Sequence, residues 1–218
     1  MMPEALSAAL SRSGLPDTLG WAITLPQTDP GALFPEERAA MQKAVPARLA
    51  EFTGGRVAAR RAMAQLGLAP APVAMDPDRA PRWPDGVVGS ITHAAGLCFA
   101  VVGHSSDWSA LGADLERDAA LPAEIVAEVA TPQELAGLAP LPAREAAARI
   151  FSAKEAAYKA QYPQTLSLFG FDAMQANLPA GEMRMVRDTG PGLGAVLPMR
   201  QHLLPGLILS LCLMPANA

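Results

Sequence analysis

Charge is scarce in this sequence. Only 17% of its 218 residues are Asp, Glu, Lys or Arg, against roughly 25% in an ordinary soluble domain. The net charge is −4, which argues against a nucleic-acid binder that works by bulk electrostatics. Cysteine is almost missing. Cys98 and Cys212 both lie inside apolar, strand-like runs, so core thiols in a reducing compartment such as the cytoplasm are expected rather than a disulfide. Long hydrophobic runs are absent too. The most apolar stretch, HLLPGLILSLCLMP, is broken by Pro205 and Gly206; a membrane-spanning helix needs ~20 unbroken residues, so a buried strand is the better reading. The start, MMPEALSAALSRSGLP, lacks the basic and apolar regions of a signal peptide. No repeat or low-complexity linker divides the chain.

What is present is apolar residue, 50% of the total, in a chain long enough to bury one large core or two small ones. VPARLAEFTGGRVAARRAMAQLG predicts a helix with Pro46 near its start and Gly67 as its stop, weakened in the middle by Gly54 and Gly55. The proline-rich APAPVAMDPDRAPRWPDG reads as a loop. VVGSIT, LCFAVVG and ALGADLE read as strands, the first two as a hairpin across HAAG. TPQELAGL opens a helix, with Thr131 as its cap, Pro132 in the first turn and Glu134 following. LPAREAAARIFSAKEAAYKAQYP carries the strongest helix pattern, opening near Pro142 and ending before Pro163. Several strands follow from Phe171. Helices in runs and strands in runs give an α+β fold class.

Three constellations could carry chemistry. In GADLE, Asp114 and Glu116 project from one face of a strand. Either they are two solvated acids, or they hold a hard cation such as Mg²⁺, which takes oxygen ligands and keeps water and phosphate in its remaining positions. In IFSAKEAAYKA, Glu155 and Lys159 lie one turn apart on a helix, in line with Phe151. They form either a surface ion pair worth ~0.3–0.5 kcal/mol or part of a site. A capping box from Ser152 to Glu155 would need a helix break that the sequence does not supply. The third constellation is basic: Arg48, Arg56 and Arg60 in the early helix, Arg79 and Arg82 in the loop, and Thr92-His93 at the hairpin. Guanidinium forks, a hydroxyl and an imidazole suit phosphate, although a solvated helix face and a turn histidine are the simpler reading of each residue taken by itself. His104 and His202 show no partners.

PARLAEFTGGR, RAPRWPDGVVGSITH, LGADLE and FSAKEAAYK, taken in this order, resemble the 4′-phosphopantetheinyl transferases, in particular the enterobactin-synthase (siderophore) branch. The resemblance runs from about Pro46 to Lys159. It implies a monomer that is one transferase unit made of two similar α+β halves, roughly 1–108 and 109–218, with coenzyme A in the cleft between them. It also implies Mg²⁺-dependent transfer of the phosphopantetheine arm to a serine of an apo acyl or peptidyl carrier protein, with release of adenosine 3′,5′-bisphosphate. Carried over by motif, Asp114, Glu116 and Glu155 are metal ligands. Arg48, Arg56, Arg79, Thr92, His93 and Asp114 bind coenzyme A, Lys159 lies on the pyrophosphate, and Glu155 takes the serine proton. Thr92 stands where many relatives have serine, and Phe151 replaces the tryptophan of the surfactin-type branch. The carrier is expected to dock on the segment between Glu116 and Leu141. A Mg²⁺-dependent phosphoesterase acting on coenzyme A or a nucleotide, and a binding module without chemistry, are the competing expectations.

Overall fold

The computed structural model describes residues 3–216. It divides into two compact units, Met1–Leu111 with Pro215–Ala218, and Gly112–Met214. In the first unit, α1 (Pro3–Ser11) leads to β1 (Leu19–Thr24), a short α2 (Pro35–Ala39) and the long α3 (Pro46–Gln65). β2 (Ala74–Met75) and β3 (Pro81–Arg82) form a small ribbon, and β4 (Val87–Ala94) and β5 (Leu97–His104) follow. The sheet order is β1-β5-β4, all antiparallel. The β4–β5 hairpin turns through Ala95 and Gly96, with φ of 54° and 74°, the positive pair that a two-residue turn needs to match strand twist.

α3 lies almost directly on this sheet. Ala58, Ala59 and Ala62 pack with Ala22, Ala100 and Val102 in one core. The Thr24 hydroxyl donates to the Gly54 carbonyl at 2.8 Å. Gly54 and Gly55, expected to weaken the helix, are what allows it to approach. A Cβ on Gly54 would come within 2.6 Å of the Leu25 carbonyl oxygen and 2.8 Å of Cys98 Sγ, and one on Gly55 within 2.7 Å of Ile91 Cγ2. The low helix propensity is offset by packing that no larger residue permits.

In the second unit, β6 (Trp108–Arg117), which begins in the first unit's residues, leads to α4 (Val126–Val129), α5 (Pro132–Ala136) and α6 (Ala143–Thr165). β7 (Met174–Asn177), β8 (Glu182–Met185), β9 (Val196–Leu204) and β10 (Leu207–Pro215) complete a five-stranded sheet in the order β6-β10-β9-β8-β7. The apolar C-terminal stretch is therefore the β9–β10 hairpin, and β10 is an interior strand buried from Leu207 to Leu213. No helix among the described residues is long and apolar enough to cross a membrane.

α6 meets its sheet through Ala153, Ala156, Ala157 and Ala160, all fully buried. A Cβ on Gly112 would overlap the Ala156 carbonyl oxygen, as one on Gly20 would overlap that of Ala62 in the first unit. The helix outruns its predicted end, continuing through Pro163 to Thr165. A proline so near the terminus forgoes only one of the last intrahelical bonds. Closure comes from Leu166, in the left-handed conformation, whose N–H donates to the Tyr162 carbonyl at 2.8 Å. Ser152 is buried within α6, its hydroxyl 2.9 Å from that of Ser210, so it caps no helix.

Each unit is pinned by a buried glutamate at the third position of a short helix. Glu37 accepts from the Phe34 and Val73 N–H groups and from Arg60 of α3, each at 2.9 Å. Glu134 accepts from the Thr131 and Ala176 N–H groups at 2.8 and 2.7 Å and pairs with Lys154 of α6 at 2.9 Å. The predicted Thr131–Glu134 capping box is present. Arg60, read from sequence with the phosphate-type arginines, thus belongs to the framework.

Candidate functional site

In the second unit the residues that carry chemistry come from β6 and α6. Gly112 lets α6 lie flat on β6, and alternation along the strand turns Asp114 and Glu116 to the same face. The Lys159 ammonium lies 2.6 Å from Asp114 Oδ1. Asp114 is buried, whereas the Lys159 side chain keeps 30% of its exposure. The ion pair of Lys159 thus runs across to the strand, not along the helix to Glu155.

Glu155 and Glu116 complete the cluster electrostatically. Burial pushes the Glu155 carboxyl above the usual carboxylate range; Lys159 draws it back and Asp114 adds to the rise. Burial raises Glu116 as well, then Asp114, with Glu155 contributing and Lys159 opposing. Both glutamates therefore feel Asp114, and the single ammonium of Lys159 offsets only part of the rise. Among the described residues no group of three or more His, Cys, Asp or Glu stands close enough to form a ready-made metal cage. The donors do fit Mg²⁺ in kind: hard carboxylate oxygens in partial burial, for an ion that keeps several of its own waters and so needs no closed protein shell.

A small cavity of about 150 Å³ opens beside Glu155. Its walls include Lys154, Tyr158, Phe169, Phe171 and Met174. Tyr158 and Phe169 meet edge to face with ring centroids 5.4 Å apart, and Phe171 leans on Phe151 at the same distance. Sequence reasoning missed this wall. Tyr158 stands in a motif already singled out, but nothing local in LFGF announces that Phe169 and Phe171 fold back onto α6.

In the first unit the basic residues separate into different tasks. Arg48 Nη1 is 2.7 Å from His93 Nε2. Glu51 Oε2 lies 3.5 Å from His93 Nδ1 and 3.9 Å from Arg48 Nη1. These three residues form a half-exposed cluster on α3 and β4. Glu51 was not foreseen, although its position one turn after Arg48 was a legible signal. Thr92 is buried and, next to His93 on the strand, turns to the opposite sheet face.

Arg56 is also buried. Its guanidinium donates to the Val73 and Ala74 carbonyls at 2.9 and 3.3 Å and stacks over the Phe52 ring at 3.8 Å. Burial pulls its pKa down to about 10. The structure therefore commits Arg56 to the base of the β2–β3 ribbon, a role the motif did not suggest. Arg79 occupies the turn of that ribbon with φ 73° and is exposed. Arg82 pairs with Asp76 at 3.2 Å. The thiols take no part: burial pushes both Cys98 and Cys212 up to about 12.

Two family models match the chain. One, described as the 4′-phosphopantetheinyl transferase N-terminal domain, covers residues 36–103; the other, the 4′-phosphopantetheinyl transferase superfamily, covers 110–201. Relatives include 4′-phosphopantetheinyl transferase Svp of Streptomyces mobaraensis, 45% identical over 47% of this chain and 44% of the relative. 4′-Phosphopantetheinyl transferase PptT of Mycobacterium tuberculosis is 42% identical over 44% of this chain and 43% of the relative. Enterobactin synthase component D of Salmonella typhimurium is 39% identical over 32% of this chain and 28% of the relative. The alignments span less than half the length of each of these curated relatives.

Proposed function

The chain belongs to the 4′-phosphopantetheinyl transferase superfamily, and from that premise we propose that it moves the phosphopantetheine arm of coenzyme A onto a serine hydroxyl of an apo acyl or peptidyl carrier protein. The serine oxygen bonds to the phosphorus that carries pantetheine. The pyrophosphate P–O bond breaks, and adenosine 3′,5′-bisphosphate leaves. The observation that carries this reading is the pairing of buried Asp114 with Lys159, with Glu116 and Glu155 within electrostatic reach.

Glu155 is assigned the serine proton through the motif it shares with Lys159, a carboxylate being a fit general base where it meets the hydroxyl directly or through water. Asp114, Glu116 and Glu155 would hold Mg²⁺, which neutralises charge on the pyrophosphate. Lys159 adds its positive charge to the same phosphates. The aromatic cavity beside Glu155 suits part of the uncharged pantetheine chain. Arg48, His93 and Arg79 serve the nucleotide phosphates, while Arg56 acts through the ribbon that presents Arg79. We assign Thr92 to the same substrate only through its motif. The matched arrangements of Glu37 with Arg60 and Glu134 with Lys154 support two halves of common design within a single transferase unit. The protein is read as a cytoplasmic monomer that meets its carrier transiently.

Carrier dependence tests the proposal. Coenzyme A should be consumed, and adenosine 3′,5′-bisphosphate appear by chromatography, only when an apo carrier is supplied. Release at equal rate without a carrier would instead make the chain a phosphoesterase.

A further inference from the structure

Lys159 and a divalent ion have a claim on the same carboxylate. Lys159 Nζ sits 2.6 Å from Asp114 Oδ1, and the Asp114 side chain is only 6% exposed. A buried carboxylate keeps its charge at low cost only where a counter-charge or hydrogen bonds meet it, and here the Lys159 ammonium supplies the charge. The Lys159 side chain, with 30% of its exposure retained, has an open route away from Asp114; the aspartate, fixed in an interior-facing strand position, has none.

We propose that Lys159 is a built-in stand-in for the metal. Its ammonium occupies the cation position at Asp114 until a divalent ion displaces it, and the displaced lysine is then free to engage the substrate's pyrophosphate. The inference rests on the transferase reading and adds to it an order of events. Without substrate, lysine and metal compete for Asp114, so the metal binds weakly. Once the pyrophosphate offers Lys159 another partner, the competition ends and metal affinity rises. By linkage, the metal strengthens coenzyme A binding by the same factor.

Mn²⁺ titration of the full chain, read by the loss of the free-ion paramagnetic resonance signal without coenzyme A, is the test. Lys159→Met should bind Mn²⁺ about tenfold more tightly than wild type. Lys159→Arg should stay near wild type, and Asp114→Asn should abolish the gain of Lys159→Met. Equal or weaker binding by Lys159→Met overturns the proposal. A second readout needs no variant. Saturating Mg²⁺ should raise the rate at which an amine-selective reagent labels Lys159 in the wild-type protein, followed by peptide mass spectrometry, and added coenzyme A should suppress it. Labelling unchanged or slowed by Mg²⁺ overturns it too. The two readings fail separately. Tight Mn²⁺ binding by Lys159→Met without carrier modification by wild type removes the transferase and leaves the stand-in. Carrier modification with no gain in Mn²⁺ affinity does the reverse.

Discussion

The Lys154 ammonium lies 2.9 Å from Glu134 Oε1, with the two side chains 2% and 0% exposed. It also donates to the Val129 and Phe171 carbonyls at 2.9 and 3.1 Å. Lys154 and Lys159 stand five residues apart in one motif, and the structure gives them opposite tasks. Lys154→Met leaves a buried glutamate without its counter-charge, which costs about 3–5 kcal/mol. Urea denaturation should show that loss, and a smaller one for Lys159→Met, whose partner Asp114 pairs with a lysine still 30% exposed.

Gly112→Ala should be severely destabilising although it adds one methyl group. The new Cβ would overlap the Ala156 carbonyl oxygen, which is backbone and has no rotamer by which to yield. A loss of about 3 kcal/mol is expected, at the upper end of overpacking effects. A denaturant midpoint shift with an unchanged slope would mark it as a stability effect.

The arginines of the first unit divide in the same way. Arg56→Ala removes a guanidinium bonded to two buried carbonyls, so about 2–4 kcal/mol of stability should be lost. Arg79→Ala, at an exposed turn, should stay within about 0.5 kcal/mol of wild type. If Arg79 meets a nucleotide phosphate, its effect should appear as a raised KM for coenzyme A.

Much of this was legible in the sequence. The long helices α3 and α6, the start of α5 at its Thr131 cap, the β4–β5 hairpin and the α+β class follow from local pattern, whereas α1, α2 and α4 were not read from it. The face shared by Asp114 and Glu116 follows from strand alternation. What escaped was set by distant packing. The two glycines of α3 look like helix breakers until Leu25, Cys98 and Ile91 are seen against them. Lys159 has a local partner of the right charge at Glu155, yet reaches Asp114, 45 residues away. Arg56 reads as a phosphate fork because its motif is spelled that way, and the carbonyls it holds belong to a loop whose course no periodicity reveals.

The pH dependence of stability follows from the two raised glutamates. A carboxyl whose pKa is higher folded than unfolded opposes folding above that raised value, where it is ionised in both states. The penalty fades as pH falls through the folded pKa toward the ordinary one. Glu116→Gln and Glu155→Gln should therefore be more stable than wild type at neutral pH. Their advantage should disappear in acid. Thermal unfolding at a series of pH values would register the convergence, and an advantage that grew in acid would contradict burial as the cause of the raised pKa values.

The central claim is group transfer to a carrier, and intact mass spectrometry of the carrier reads it directly. Apo acyl and peptidyl carriers incubated with the protein, coenzyme A and Mg²⁺ should each be tested for the added mass of one phosphopantetheine arm. At least one carrier should gain it, on its serine, with Glu155→Gln strongly impaired. No gain on any carrier of a broad panel, with the protein folded and coenzyme A intact, would contradict the account.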